Sequence, residues 1–317
     1  MTAFAHPRAT PAIVSASRLT DVPRFYAAWF ANRRRAGTCV SGNSFGGRYR
    51  ISLRSQDVLA YLFWTRDARP LLPELDALLA EGLPAAFQFT ITAYGGDLEE
   101  NRVPLGEQLE SFRAVAARLP GPSAIQLRYD PVVVGGPYTR EWHEESLDRL
   151  CRELRGCTRV VNTSLCEPYR KVLARLDRLR QPFAYRRADP GRHPTVGAEP
   201  RVLADPLTFL RRLSAIASDH GMQLRACANP ELSGGDRLPP AQCCGLELFA
   251  EYPAARLDRL RTRPRGPSRP GCNCLATADI GMTDTCPGGC LYCYATGALR
   301  KSLNFFGRHD PTAESLR

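Results

Sequence analysis

Apolar positions along this chain follow two spacings that alternate. Ala12-Ile13-Val14 is a short apolar run that ends in the polar residues Ser15-Ala16-Ser17-Arg18. It predicts a buried strand delivering polar groups at its C-terminal end. Asp21 is placed to cap the next helix, with Pro23 in its first turn. Val22, Phe25, Tyr26, Trp29 and Phe30 make the apolar face of that helix. Residues 38–53 read as a glycine-rich hairpin around Gly46-Gly47.

A strand–helix rhythm follows. Strands are predicted over 58–65, 86–92, 124–129, 159–165 and 223–226. Between them, leucine-rich helical spacings run through Leu71–Leu79 and Leu105–Val115. Others pass through Trp142, Leu147, Leu150 and Leu154 behind a Thr139 cap, and through Val172–Leu176. A last one holds Leu207, Leu210, Leu213 and Ile216 behind Asp205. Residues 181–200 are rich in Pro, Gly and Arg and read as a long loop, and 253–270 as a charged, Pro-rich connection. A short strand over 275–280, a cysteine loop and a helix over 294–304 close the pattern.

Strands and helices alternating at these lengths imply parallel strands joined by right-handed crossovers. Six such units favour an α/β fold of the parallel (β/α) barrel or partial barrel type over an open doubly wound sheet. The whole chain, 1–317, reads as one domain: a main βα region over 11–228, a cysteine-containing connecting segment over 229–274, and the C-terminal strand, loop and helix over 275–304. No glycine fingerprint for a dinucleotide and no P-loop is present.

Composition narrows the class. The chain is 44% hydrophobic and 24% charged, as in ordinary globular proteins. Its formal charge is +11, and all but Lys171 and Lys301 of the 43 basic residues are arginine. A GC-rich genome explains that skew more simply than a binding adaptation. A basic surface still favours polyanions, so nucleic acid is kept as a partner class. Arg33-Arg34-Arg35, Arg186-Arg187 and residues 259–265 are the densest stretches, and solvated faces account for them more simply. Residues 1–10 hold no apolar signal region, and the longest apolar run, 58–64, is too short to span a bilayer. The expectation is a cytoplasmic protein without a membrane partner. Thiols stay reduced there, so clustered members of the 12 cysteines read as metal ligands.

Cys286, Cys290 and Cys293 stand at C-x3-C-x2-C. Three thiolates on one short loop can hold three irons of a [4Fe-4S] cluster and leave the fourth open to a small molecule. A closed zinc site would need a fourth ligand. Gly288 and Gly289 are expected to supply the backbone angles that turn the sulfurs inward. Cys227, Cys243, Cys272 and Cys274 form a second set, with Cys244 as an alternative to Cys243. Four thiolates would close around a second Fe-S cluster or a structural zinc. Cys39, Cys151, Cys157 and Cys166 lack spacing and read as ordinary thiols.

Polar residues collect where the predicted strands end, the end at which α/β barrels build sites. Arg18, Asp21, Gln88, Arg128 and Asp130 are the candidate catalytic residues, and Arg18 and Arg128 suit a carboxylate. Ser17, Arg18, Thr65, Asn162 and Tyr292 are the candidate cofactor-binding residues. Thr90, Thr92 and Ser164 share the same strand ends. His143 reads as a surface or half-buried helix residue. No Ser-His-Asp pattern and no H-E-x-x-H is found.

The cysteine spacing, with Tyr292 just before the third cysteine, is similar to the signature of radical S-adenosylmethionine enzymes. Several words resemble those of a bacterial family, domain-of-unknown-function family 1848. They are residues 14–23, Phe63-Trp64-Thr65-Arg66, Phe87-Gln88-Phe89-Thr90, Leu127-Arg128-Tyr129-Asp130-Pro131, Asp279-Ile280-Gly281 and the words around Cys286 to Ala295. Cys227, Cys243, Cys272 and Cys274 match cysteines expected in that family. The resemblance covers about residues 12–296. It brings no established reaction.

The radical S-adenosylmethionine likeness implies S-adenosylmethionine on the open iron, reductive cleavage to a 5′-deoxyadenosyl radical, and a small-molecule substrate in the barrel. It also implies an electron donor such as a flavodoxin or ferredoxin. The cysteine word is also similar to that of spore photoproduct lyases, which implies a nucleic-acid-acting lyase as one alternative. A non-catalytic zinc- or cluster-binding module is the other. In ordinary members the cysteine loop follows the first strand, whereas here it follows the last. A circularly permuted core, with strand 275–280 beside Ala12-Ile13-Val14, would reconcile the two. No glycine-glycine-glutamate word follows the first strand, where the usual second strand would contact the methionine moiety.

Overall fold

The structure, a computed structural model, describes residues 12–42, 47–185, 201–266 and 269–317. Gly46, Arg186, Arg187 and most of the expected loop over 181–200 lie outside the described residues. In chain order the strands are β1 (Ala12–Ala16), β2 (Thr38–Gly42), β3 (Arg48–Ser52), β4 (Val58–Thr65), β5 (Ala85–Thr90) and β6 (Ile125–Val132). They continue with β7 (Val134–Gly135), β8 (Val160–Leu165), β9 (Phe183–Tyr185), β10 (Arg201–Val202), β11 (Gln223–Ala226) and β12 (Thr277–Asp279).

Seven of them form one parallel sheet in the order β11-β8-β6-β5-β4-β1-β12. The last strand does lie beside the first: Ile13 pairs Thr277, Val14 pairs Ala278 and Ser15 pairs Asp279. Strands β2 and β3 make the expected hairpin as a separate antiparallel pair. Among the described residues no ladder joins the edge strands β11 and β12. The sheet is therefore open, and the closed-barrel form of the expectation is not shown.

Alternate strand residues face opposite sides. On the outer face Val14, Tyr61, Phe63, Phe87 and Phe89 pack with helix residues such as Trp29, Phe30, Leu75, Phe112, Leu147 and Leu210. Phe30 meets both Tyr61 and Phe63 edge-on at 5.5 Å between ring centres. Helix capping follows the expectations: Asp21 accepts from Arg24 N–H, Thr139 from Trp142 N–H and Asp205 from Thr208 N–H.

On the inner face Ile13, Ala60, Leu62 and Ala86 pack against Ala241, Leu248, Phe249, Leu260 and Leu275. The segment expected to be a connection is thus a layer of the core. It includes a helix, Ala254–Arg261, that its charged, Pro-rich composition hid. This layer covers the face that further strands would cover in a closed barrel. The C-terminal helix occupies Leu299–Phe306 and begins later than expected.

His143 is fully buried, not half-buried. Its Nδ1 meets the Tyr129 hydroxyl at 2.7 Å and its Nε2 meets the Val133 carbonyl at 3.0 Å. Among the described residues no helix is long and apolar enough to cross a membrane.

Candidate functional site

The C-terminal ends of the sheet strands open into a cavity of about 840 Å³. Both cysteine sets line it: Cys286, Cys290 and Cys293 from the C-terminal loop, and Cys227, Cys243, Cys272 and Cys274 from the inner layer and its borders. Cys244, the alternative to Cys243, does not line it. Cys39, Cys151, Cys157 and Cys166 do not line it.

The cysteine loop is held by the segment after β5. Leu291 N–H donates to the Leu98 carbonyl at 2.9 Å, and Glu100 N–H to the Gly289 carbonyl at 3.2 Å. Asn101 Nδ2 donates to the Pro287 carbonyl at 2.7 Å. Arg175 donates to the Thr296 carbonyl at 2.9 Å and also to the Cys293 carbonyl.

The two glycines have different roles. Gly289 has φ +72°, and a Cβ there would stand 3.0 Å from Glu100 Cβ and 3.2 Å from Asn101 N. Gly288 is outside the left-handed region, so the expectation of an unusual angle fails there. A Cβ on Gly288 would point between two sulfurs, 3.4 Å from Cys286 and 4.0 Å from Cys290.

Burial pushes the Cys286 thiol up to about 12 and the Cys290 thiol up to about 11. Both are protonated at neutral pH, and a metal would have to displace those protons. Among the described residues no three or more His, Cys, Asp or Glu side chains already converge as ligands of one ion. Each thiolate of a cubic cluster binds its own iron, so such ligands need not converge on one point.

A buried polar network supports the loop from beneath. Arg66 Nη1 pairs Glu99 Oε2 at 2.9 Å and Arg66 Nη2 donates to the Tyr292 hydroxyl at 2.5 Å. The hydroxyls of Tyr292 and Thr92 both donate to Glu99. Burial, the largest effect, would lower the Arg66 pKa, and the Glu99 carboxylate together with Tyr292, Cys290 and Asp21 outweighs it, leaving the guanidinium raised and charged. Tyr292 lines the cavity, and its hydroxyl is already engaged by this network.

Asp21 takes the Thr65 hydroxyl at 2.7 Å and Arg66 N–H at 2.9 Å. Burial raises its carboxyl to about 6, against the opposing pull of those hydrogen bonds. Thr65 therefore acts in the cavity wall by holding Asp21.

At the β1–β12 seam, Asp279 accepts from Ser15 Oγ at 2.9 Å, Ser17 Oγ at 2.5 Å, Arg18 N–H at 3.1 Å and Gly281 N–H at 2.9 Å. A Cβ on Gly281 would fall 1.9 Å from Ser17 Oγ, so the seam needs a glycine there. Arg18 also donates to Thr277 Oγ1 at 2.7 Å. Trp64 carries two guanidiniums on its ring, Arg128 at 5.0 Å and Arg18 at 5.8 Å from the centre. Arg128 pairs with Asp130, which Ser164 also contacts.

Around the second cysteine set, Cys227 Sγ and Cys243 Sγ are 3.7 Å apart. Arg128 Nη1 donates to Cys243 Sγ at 3.0 Å and Arg269 Nη2 to Cys227 Sγ at 3.4 Å. Cys244 N–H donates to Cys274 Sγ at 3.4 Å.

Two candidates do not reach the cavity. Gln88 and Asn162 are fully buried on the inner face. Gln88 Nε2 donates to Gln126 Oε1 at 2.7 Å and to the Cys243 carbonyl at 3.0 Å. Asn162 Nδ2 donates to Gln88 Oε1 at 3.0 Å and Gln126 Oε1 at 2.7 Å. Gln88 thereby binds the inner layer to the sheet, and Asn162 ties neighbouring strands together. Ser17, Arg18, Asp21, Thr65, Arg128, Asp130 and Tyr292 do line the cavity.

Asp279, Arg66 and Glu99 are structural members of the site region that sequence reasoning did not single out. The Asp279-Ile280-Gly281 word at the end of the last strand was the available signal for the first. Nothing in the spacing around Glu99 marks it.

Comparison with curated proteins and with solved structures finds no match. A family model does match, over residues 13–295, and the chain belongs to the family described as domain of unknown function (DUF1848).

Proposed function

We propose that the chain is an iron–sulfur enzyme of the radical S-adenosylmethionine type, with a [4Fe-4S] cluster on Cys286, Cys290 and Cys293. The observation that carries this reading is the pairing of β12 beside β1. That pairing sets a C-x3-C-x2-C loop at the polar end of β1, over one cavity that also holds Arg18, Asp21 and Arg128. It is the neighbour relation that a circularly permuted core requires. The loop's chemistry fits the group: three thiols with a side-chain-free gap at Gly288 between two of them. Bound there, the cluster would supply one-electron reduction of S-adenosylmethionine, chemistry that the protein alone cannot perform.

The chain's own residues have definite parts in this reading. Arg18 offers a guanidinium at the cavity wall to a carboxylate, positioned by Thr277 and by the face of Trp64. Arg66 and Glu99 fix the loop from below, and Tyr292 joins them to it. Asp21, adjacent to Cys286, couples the end of β1 to the loop.

The test is anaerobic reconstitution with iron and sulfide. The reading expects about four irons at the loop, and 5′-deoxyadenosine when the reduced protein meets S-adenosylmethionine. Cys290→Ala should abolish the loop's iron. Reconstituted and reduced protein that makes no 5′-deoxyadenosine overturns the enzyme reading and leaves a non-catalytic metal-binding module. Full iron in Cys290→Ala overturns the ligand assignment.

A further inference from the structure

We infer that Cys227, Cys243, Cys272 and Cys274 form a separate site for one tetrahedral divalent ion of the zinc class, and that this ion fastens the open side of the sheet. The inference does not depend on the loop cluster.

Cys227 Sγ and Cys243 Sγ are 3.7 Å apart. Metal–sulfur bonds of about 2.3 Å in a tetrahedron place neighbouring sulfurs about 3.8 Å apart. A disulfide would bring them to about 2.05 Å. Thiolates on a cubic cluster each take a different iron and stand farther apart than ligands of a single ion. One edge of a tetrahedral site is thus already in place, and Cys243 also faces the Cys274 thiol. Cys272 and Cys274 complete the set when the ion draws them in.

Three donors point at the sulfurs. Arg128, Arg269 and the Cys244 N–H donate to Cys243, Cys227 and Cys274 in turn. A neutral thiol is a weak acceptor, whereas a thiolate rewards a charged donor. Four thiolates on a divalent ion carry two net negative charges, and the guanidiniums of Arg269 and of Arg128, which Asp130 also pairs, stand on the sulfurs.

Cys227 directly follows β11, and Cys272 and Cys274 shortly precede β12. Those are the two edge strands. Cys243 comes from the inner layer between them, bound to Gln88 through its carbonyl. An ion on these four sulfurs therefore joins both sheet edges and the inner layer. It stands where a closed barrel would have its last seam.

The experiment uses the full chain carrying Cys286→Ala, Cys290→Ala and Cys293→Ala, purified without oxygen from medium containing zinc and iron. The expected result is about one zinc per chain and no acid-labile sulfide. Exchange for cobalt(II) should give the intense sulfur-to-cobalt charge-transfer and tetrahedral ligand-field bands of a four-thiolate site. Adding Cys227→Ser and Cys243→Ser should reduce the zinc at least tenfold. Iron with sulfide in place of zinc overturns the single-ion assignment. A cobalt spectrum without thiolate charge transfer overturns the ligand set, and metal-free protein overturns the site. The first and second readouts need only the triple variant, so misfolding of the five-site variant does not shelter the idea.

Discussion

The Ser17 hydroxyl donates to the Asp279 carboxylate at 2.5 Å, joining residues 262 positions apart. Asp279 receives four donors, two on each oxygen. Arg18 N–H and Gly281 N–H can only donate. Any neutral replacement therefore leaves at least one of them unmatched. Asp279→Ala and Asp279→Asn should each destabilise the fold by about 1–3 kcal/mol. The asparagine should be no gentler than the alanine, because its amide turns a donor toward donors. Urea unfolding of the three proteins checks this, and an asparagine variant as stable as the parent contradicts it.

The two loop glycines should separate stability from metal uptake. Gly289→Ala forces a non-glycine residue to φ +72° and presses its Cβ on Glu100 and Asn101. It should cost about 1–3 kcal/mol and disturb the loop. Gly288→Ala meets only ordinary contact distances to Cys286 and Cys290 sulfurs. It should fold like the parent while losing most of the iron taken up at the loop. Thermal unfolding beside iron analysis distinguishes the two, and equal iron uptake by Gly288→Ala and the parent would remove the argument that the gap serves a metal.

How much of this could be read beforehand depended on which forces left a pattern. Val58–Thr65 and Gln223–Ala226 were legible to the residue, because a buried strand reads as a short apolar run. The β12–β1 neighbour relation was expected only through the radical S-adenosylmethionine likeness, which a last strand beside the first would reconcile with the late cysteine loop. The inner layer was not legible. Its apolar residues Ala241, Leu248, Phe249, Leu260 and Leu275 are spread among cysteines, prolines and arginines, and no period links them. Gln88 and Asn162 looked like strand-end polar groups, but they sit deeper in the fold and bond with Gln126. His143 was legible and overlooked: it shares the helix face of Leu147, Leu150 and Leu154.

Arg66 and Glu99 form a buried ion pair at 2.9 Å, with side chains 11% and 4% exposed. Removing one partner leaves the other charged in a poorly solvated place. Arg66→Met should therefore cost about 3–5 kcal/mol. Arg66→Met with Glu99→Gln should cost less than the sum of the single changes, and a double-mutant cycle by denaturant unfolding measures the coupling. Additive losses would show that the pair does not act as a unit.

His143 predicts a pH dependence of stability. Burial lowers its pKa to about 4, opposed by the Val133 carbonyl contact. In the unfolded chain an imidazole titrates near about 6.5. Between those values the unfolded chain binds the extra proton and the folded chain does not, so stability rises with pH across the window. The contribution is fully present above about pH 6.5 and is lost as pH falls toward about 4, a span worth about 3 kcal/mol. His143→Gln keeps a donor and an acceptor but cannot titrate. Its unfolding free energy, measured at steps from pH 7 to pH 4, should fall less steeply than the parent's by that amount. Parallel curves for the two proteins would show that His143 is not buried as a neutral imidazole.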